Sequence, residues 1–460
     1  MISSSVTAPP WRQGVSLLAL LGALGWLLLG SADGSVLQAG IVVVLCIGLW
    51  ATGWLPQWLT ALIFFTLCTV AKVAPASTAF AGFESAATWL VFSGMVIGAA
   101  INHTGLGERV AARIGPHLAS GYPQAVVGIG LLGLIASFFM PSAMGRIVLL
   151  VPILLMLVDR FGYAPGDPGR IGILLSGIMS SFLPTFTILP ANVPNNVLMG
   201  ASEAVLGYSP SYGEYLLLHF PVLGLLKWAL IMALILWQFR AAPPSPFTAE
   251  APSRLGRGGN LMGVLLGFAV LMWMTDAWHG ISPAWIGMLV ALACLFPGSG
   301  LLPARPLQQM NLEPFIYVAG IVSLGALAHQ SGLGEAIAGR LLDVLPLSPQ
   351  STAGNFTWLA VIATVLGMLV TLPGVPAVMT PLAPQLADVT GWSPSAVVMS
   401  QVIGFSTVVF PYQSPPLIIG LLTSGVTIRQ AMRITVPLAL ITIVLLWPLD
   451  FVWWRWLGVI

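Results

Sequence analysis

Apolar runs long enough to cross a bilayer as helices, which takes about 20 residues each, follow one another along almost the whole chain. The pattern predicts spans near 14–31, 36–54, 57–73, 86–102, 171–200, 214–239, 261–278, 283–299, 314–330, 395–424 and 433–457. Two further apolar blocks, Tyr122–Leu157 and Phe356–Leu386, suit two short helices each but are too broken for one. Met140-Pro141-Ser142 interrupts the first and Leu372-Pro373-Gly374 the second. Proline removes a backbone donor and disfavours helix in the residue before it. Each block is therefore read as a re-entrant hairpin whose tip stops inside the membrane. Such backbone is tolerated only where protein buries it or a wet cavity receives it. The first run, Leu17–Leu29, follows a single Arg12 and no A-x-A site, so it is read as a retained span rather than a signal peptide.

The chain also repeats itself. Gly98–Arg113 reads GAAINHTGLGERVAAR and Gly325–Arg340 reads GALAHQSGLGEAIAGR. Five predicted spans separate Gly105 from Gly332, so the two copies face opposite sides and the repeat is inverted. The hairpins keep the same register: Pro141 precedes Pro152 by 11 residues, and Pro373 precedes Pro384 by 11. The expected class is an all-α polytopic membrane protein with about 11 transmembrane helices plus two re-entrant hairpins in two inverted-topology repeats. The expected divisions are a first span at 1–35 and a first repeat at 36–240, holding an inward hairpin at 121–159 and a broken span at 171–200. A linker at 241–260 leads to a second repeat at 261–460, with an outward hairpin at 352–390 and a broken span at 395–424.

Composition agrees with the bilayer. Residues are 57% hydrophobic and 7% charged, with a mean hydropathy of +0.96, against roughly 25% charged in a soluble domain. The +2 net charge is scattered, so no nucleic-acid surface is indicated. Cys46, Cys68 and Cys294 lie in apolar runs without metal or redox spacing. With the N-terminus inside, 11 of the 16 basic residues fall on inner segments, among them Arg12, Arg160, Arg170, Arg240, Arg254 and Arg433. The positive-inside rule then places the N-terminus in the cytoplasm and the C-terminus outside an inner (cytoplasmic) membrane.

Candidate chemistry gathers at the breaks. Pro190-Ala191-Asn192-Val193-Pro194 matches Pro411-Tyr412-Gln413-Ser414-Pro415. A P-x-[NQ]-x-P string inside an apolar span unwinds it and frees backbone groups near mid-membrane. Half-helix N-termini beyond a break attract anions, while unwound carbonyls hold cations. A single proline is commonly only a kink. Two matched pairs in corresponding places favour the broken-span reading. Asn192, Asn195, Gln413 and Ser414 offer neutral polar contacts, although interhelical hydrogen bonding is a frequent structural use of such residues.

These elements resemble the divalent anion–sodium symporter family of the ion-transporter superfamily. The residues that carry the resemblance are Pro141–Pro152, Pro190–Asn196, Phe410–Pro416 and the ending Trp447-Pro448-Leu449-Asp450-Phe451-Val452-Trp453-Trp454. It implies a homodimer with a scaffold part and a transport part built from hairpins and broken spans. It also implies secondary transport of dicarboxylate, tricarboxylate or sulfate by an elevator-type movement, with substrate held between hairpin tips and unwound helices. On that footing the candidate substrate-binding residues are Ser142, Ala143, Met144, Arg146, Asn192, Pro194 and Asn195 in the first half. Gly374, Val375, Pro376, Thr407, Gln413, Ser414 and Pro415 are the candidates in the second.

One departure matters. Where the family carries Ser-Asn-Thr at both tips for sodium and substrate, this chain reads Ser142-Ala143-Met144 and Gly374-Val375-Pro376. Most side-chain oxygens for sodium are missing, so no metal ligand is assigned beyond the neighbourhood of Ser142 and Gly374, and the coupling ion is left open between sodium, a proton and exchange. No other cofactor is expected. Arg146 stands four residues after Ser142, at a depth where a charge costs about 2.5–3.5 kcal/mol on insertion scales. Two readings stand side by side. Arg146 either supplies a fixed positive charge where relatives bind a cation, neutralising or binding an anion, or it snorkels or pairs structurally with an acid such as Asp159. Glu84 and Glu313, like Glu108 and Glu335, are symmetrically placed and read as helix-end residues.

Other classes fare worse. No HExxH motif, paired membrane aspartates or Ser–His arrangement supports an enzyme, and no GxxxxGK[ST] loop supports a nucleotide-driven pump. A cation/proton antiporter or metalloid exporter would be expected to use membrane acids, which the broken spans lack. That exporter or antiporter is still the closer rival within the superfamily, and an anion channel is the other alternative, since hairpins meeting at mid-membrane also build pores. The favoured partners are a small anionic substrate, the lipid bilayer and a second copy of the chain.

Overall fold

The computed structural model describes residues 35–52, 54–106, 120–140, 142–244, 257–333, 345–369 and 372–460, with isolated positions before residue 26 and at 336. All but isolated positions of the expected first span 14–31, together with Pro141, linker residues 245–256 and the Glu108 and Glu335 positions of the matched blocks, lie outside this set.

Among the described residues every regular element is a helix. The first half runs α1 Ser35–Thr52, α2 Gln57–Val70 and α3 Ala86–Thr104. Then come α4 Tyr122–Phe139, α5 Ala143–Arg160, α6 Pro168–Ser180 and α7 Val193–Leu206. α8 Tyr212–His219 continues through a π-helical stretch, Phe220–Leu226, into α9 Lys227–Gln238. The second half runs α10 Arg257–Met274, α11 Pro283–Leu295, α12 Glu313–Gln330 and α13 Thr352–Leu369. It closes with α14 Gly374–Met379, α15 Ala383–Thr390, α16 Pro394–Phe405, α17 Pro415–Ser424, α18 Ile428–Ile441, a second π-helical stretch Thr442–Leu446, and α19 Trp447–Trp456. Among the described residues, five helical stretches are long and apolar enough to cross a membrane: Ala86–Thr104, Tyr122–Phe139, Pro168–Thr187, Tyr212–Gln238 and Ile428–Trp456. The fold is that of an all-α polytopic membrane protein.

Local chemistry sets the boundaries. The last span starts at Ile428, ahead of the expected 433, because Thr427 and Gln430 form a capping box: Gln430 N–H donates to Thr427 Oγ1 at 3.2 Å and Thr427 N–H to Gln430 Oε1 at 2.9 Å. Capping chemistry reaches past the apolar pattern that placed the span. Both breaks in the apolar blocks are real interruptions of helix. α4 stops before Met140, and Ser142 restarts the chain as α5 by accepting from Gly145 N–H at 3.1 Å. α13 is described as far as Leu369, and the non-helical pair Leu372-Pro373 precedes α14.

Packing divides into two apolar clusters. One joins α1, α2 and α12 around Cys46, Phe64, Phe65, Tyr317 and Ile321. The larger one binds the hairpins, broken spans and α8–α11 together with α18 and α19. Backbones approach closely where glycine allows it. Gly82 N–H donates to Ser323 Oγ at 2.8 Å, and a Cβ there would lie 1.9 Å from the Ala319 carbonyl oxygen.

Candidate functional site

The first expected broken span unwinds over residues 181–192. After α6 come two 3-10 turns, Leu183–Thr187 and Leu189–Ala191, before α7 begins. Its free backbone groups are met internally, as buried polar groups must be in an apolar surround. Asn192 caps α7: its Oδ1 accepts from Val193 N–H at 3.0 Å while its Nδ2 donates to Thr185 Oγ1 at 3.0 Å. Asn195 Nδ2 donates to the carbonyls of Thr185 (2.9 Å) and Ile188 (2.8 Å). The second break, 406–414, is held by Gln413. Its Oε1 accepts from Val409 and Phe410 N–H at 2.9 and 2.8 Å, and its Nε2 donates to the Gly367 carbonyl at 3.0 Å.

Arg146 does for the first hairpin what Gln413 does for the second. It is fully buried. Its Nε donates to the Ser181 carbonyl at 3.0 Å, its Nη2 to Ala191 at 2.9 Å and its Nη1 to Met140. Three helix-end carbonyls thus face one guanidinium, the favourable arrangement for a cation at a helix C-terminus. Asp159 is engaged elsewhere, in an ion pair with Arg170.

A cavity of about 450 Å³ opens where the breaks meet. α5 contributes Ser142 and Ala143, α7 contributes Asn192, Val193, Pro194 and Asn196, and α17 contributes Ser414, Pro415 and Pro416, with Gln413 just before it. Leu372 and Pro373 come from the second hairpin. The facing wall belongs to α2, α3 and α12 through Gln57, Met95, Glu313 and Tyr317. Five helices of eight residues or more therefore bring N-terminal residues to one space, α5, α7 and α17 on one side and α2 and α12 on the other. No lining residue is Lys, Arg or His, and Glu313, exposed at the rim, is the one charged side chain among the described lining residues.

Of the sequence candidates, Ser142, Ala143, Asn192, Pro194, Gln413, Ser414 and Pro415 line the cavity. The other described candidates lie outside its lining. Arg146 sits on its three carbonyls, and Asn195 braces the first break. Gly374, Val375 and Pro376 are buried in α14 just beyond the lining pair Leu372-Pro373. Thr407 donates to Ile403 O at 2.7 Å and accepts from Trp447 Nε1 at 3.2 Å. Nothing is described of the Met144 side chain. Asn196 was not among the candidates. It lines the cavity, is 2% exposed, and its Oδ1 has no protein hydrogen-bond partner. Its position one turn after Asn192 is the signal in the sequence that identifies it.

The family and the relatives of this chain are membrane transporters rather than enzymes. The chain belongs to the family described as sodium:sulfate symporter transmembrane region, which matches residues 32–460. It is similar to a protein of Cupriavidus necator named only as a membrane protein, at 23% identity over 83% of this chain and 77% of that one. The L-tartrate/succinate antiporter of Escherichia coli K12 matches at 23% identity over 59% of this chain and 58% of its own. The chloroplastic dicarboxylate transporter 2.2 of Arabidopsis thaliana matches at 32% over 25% of this chain and 21% of its own. The fold is shared with the YdaH transporter of Alcanivorax borkumensis (TM-score 0.53, 14% identity, 93% of this chain and 99% of that one). It is shared equally with MtrF of Neisseria gonorrhoeae (TM-score 0.53, 14% identity, 94% and 97%). The protein is an integral membrane transporter of anions in this family.

Proposed function

We propose that the protein is a secondary carrier of small dicarboxylates, bound in the cavity between Ser142, Asn192, Asn196 and Ser414. The observation that carries this reading is the convergence of the α5, α7 and α17 N-termini on one space lined by neutral polar groups. Helix N-termini stabilise anions by typically 0.3–1 kcal/mol each in exposed settings and by up to about 2 when partly buried. That suffices for a dianion without a lining arginine, and it leaves the site easy to vacate. A cavity of 450 Å³ suits a four-carbon diacid better than a large conjugate. The names of two relatives, a tartrate/succinate antiporter and a dicarboxylate transporter, agree.

In this reading the hairpins and broken spans travel as one body against α2, α3 and α12, an elevator movement within a homodimer in the inner membrane, with the N-terminus cytoplasmic. Sodium plays no obligatory part. The carbonyls that an unwound helix offers a cation are taken in the first half by Arg146, and neither tip restores the lost side-chain oxygens. The test is uptake by proteoliposomes of labelled succinate, tartrate, citrate and sulfate, each with and without sodium. Saturable, sodium-independent succinate or tartrate counterflow is expected. Obligatory sodium coupling overturns the Arg146 part, and unitary currents in place of counterflow overturn the carrier.

A further inference from the structure

Lys227 and Asp450 are buried ionisable groups, 1% and 0% exposed, that the anion cavity does not use. Each follows a π-helical stretch: Phe220–Leu226 ends at Lys227, and Thr442–Leu446 leads into Trp447–Asp450. π-bulges are rare and concentrate at functional positions. Lys227 Nζ donates to the carbonyl oxygen of Ser406 at 3.0 Å and to its Oγ at 3.2 Å. Asp450 lies within electrostatic range of Lys227. The Trp454 indole, one turn on, approaches the carboxyl, but neither carboxyl oxygen completes a protein hydrogen bond of good geometry. An ionised carboxylate buried in that way is costly, and binding a proton relieves the cost.

The surroundings isolate this pair. His219 on α8 is fully buried, with neither ring nitrogen partnered, and packs against Tyr215 and Trp454 at centroid distances of 4.7 and 5.8 Å. Tyr215 Oη donates to Phe186 O at 2.8 Å. α13 and α16 bring no acid or base to this layer. Arg429 and Arg433 of α18 and Arg455 of α19 are exposed.

The pair is also wired to the cavity. Ser406 is the C-cap of α16 and opens the break that ends at Gln413 and Ser414 in the cavity lining. Trp447, on the same helix as Asp450, donates to Thr407 in that break at 3.2 Å. We infer that Asp450, set against Lys227, binds the proton that this carrier couples to its anion, an inference that rests on the carrier function above. Uptake of one proton converts the carboxylate to the acid and leaves the Lys227 charge unopposed beside Ser406. Release restores the neutral pair. The added positive charge favours an anion in the cavity, and by linkage a bound anion favours the proton.

Two measurements test this. In proteoliposomes with the membrane potential clamped, an inward gradient of one pH unit drives succinate accumulation of up to about tenfold in the wild type. Asp450→Asn loses the accumulation and Asp450→Glu recovers part of it. In purified wild-type protein, a carboxylic C=O infrared band grows on acidification, is absent in Asp450→Asn and shifts in Asp450→Glu. Undiminished gradient-driven accumulation in Asp450→Asn, or a wild type without an Asp450-dependent band, overturns the inference. The band in a protein that moves no succinate supports the proton site and overturns the dicarboxylate reading instead.

Discussion

Arg146 donates from Nε to the carbonyl oxygen of Ser181 at 3.0 Å, and Ser181 is the C-cap of α6. The second half repeats the relationship with other residues: Lys227 donates to Ser406, the C-cap of α16, also at 3.0 Å. Both broken spans thus have a buried side-chain cation on the end of their first half-helix. The two cations come from non-corresponding places, a hairpin tip and a span.

Replacing Arg146 therefore strips partners from Ser181, Ala191 and Met140 together. An orphaned buried acceptor costs about 1–3 kcal/mol, so Arg146→Ala is expected to lower the melting temperature by several degrees and to abolish uptake. Arg146→Lys, with one compact ammonium against three carbonyls, recovers part of both. If the guanidinium stands where a cation would, sodium chloride raises the melting temperature of Arg146→Ala more than choline chloride does. Equal effects of the two salts count against the substitution idea.

Asn192 both caps α7 and faces the cavity. Asn192→Ala loses a cap worth about 1 kcal/mol and weakens succinate binding several-fold. Asn192→Asp keeps a capping oxygen but loses the donor to Thr185 and brings a buried negative charge to the anion's side, so binding falls by tenfold or more, further than in Asn192→Ala. Titration calorimetry alongside melting curves separates the two effects.

Asn196→Leu preserves approximate volume and removes the unpartnered amide oxygen from the lining. The relief of an unsatisfied acceptor offsets the lost polarity, so the variant is at least as stable as wild type yet binds dicarboxylate more weakly. Unchanged affinity would remove Asn196 from the site.

Glu313 sits at the rim with its N–H held by Asn311 Oδ1 at 3.0 Å. Its charge opposes an entering anion. Glu313→Gln is expected to lower KM about two- to threefold at low ionic strength, with the gain fading as salt screens the rim. Initial rates over a salt series measure it.

Gly404, on α16 beside the second hairpin, admits no side chain: a Cβ would lie 2.2 Å from Ala363 Cβ and 2.7 Å from Thr364 N. Gly404→Ala forces the helices apart at a cost of about 1–3 kcal/mol. A lowered melting temperature together with impaired uptake is the expected result.

The sequence by itself determined the class and the break points. Apolar runs of spanning length leave the helix as the element that satisfies its own backbone in lipid, and proline marks where it is interrupted, at Leu372-Pro373 and at Pro190 inside the unwound stretch 181–192, because the missing N–H is a property of the residue alone. The capping roles of Ser142 and Asn192 came with the structure, because a cap is defined by where the helix restarts. What only the tertiary structure decided is which of these groups face the space and which face one another. Arg146 sits four residues from Ser142 in sequence, yet its guanidinium lies on carbonyls 35 and 45 residues away. Asn195 and Asn196 are adjacent, but helical rotation turns one into the break and the other into the cavity. Lys227 and Asp450 lie in opposite halves, where no local pattern links them. Burial and partner choice are set by packing between distant segments, so the charge environment of this carrier exists only once the helices are assembled.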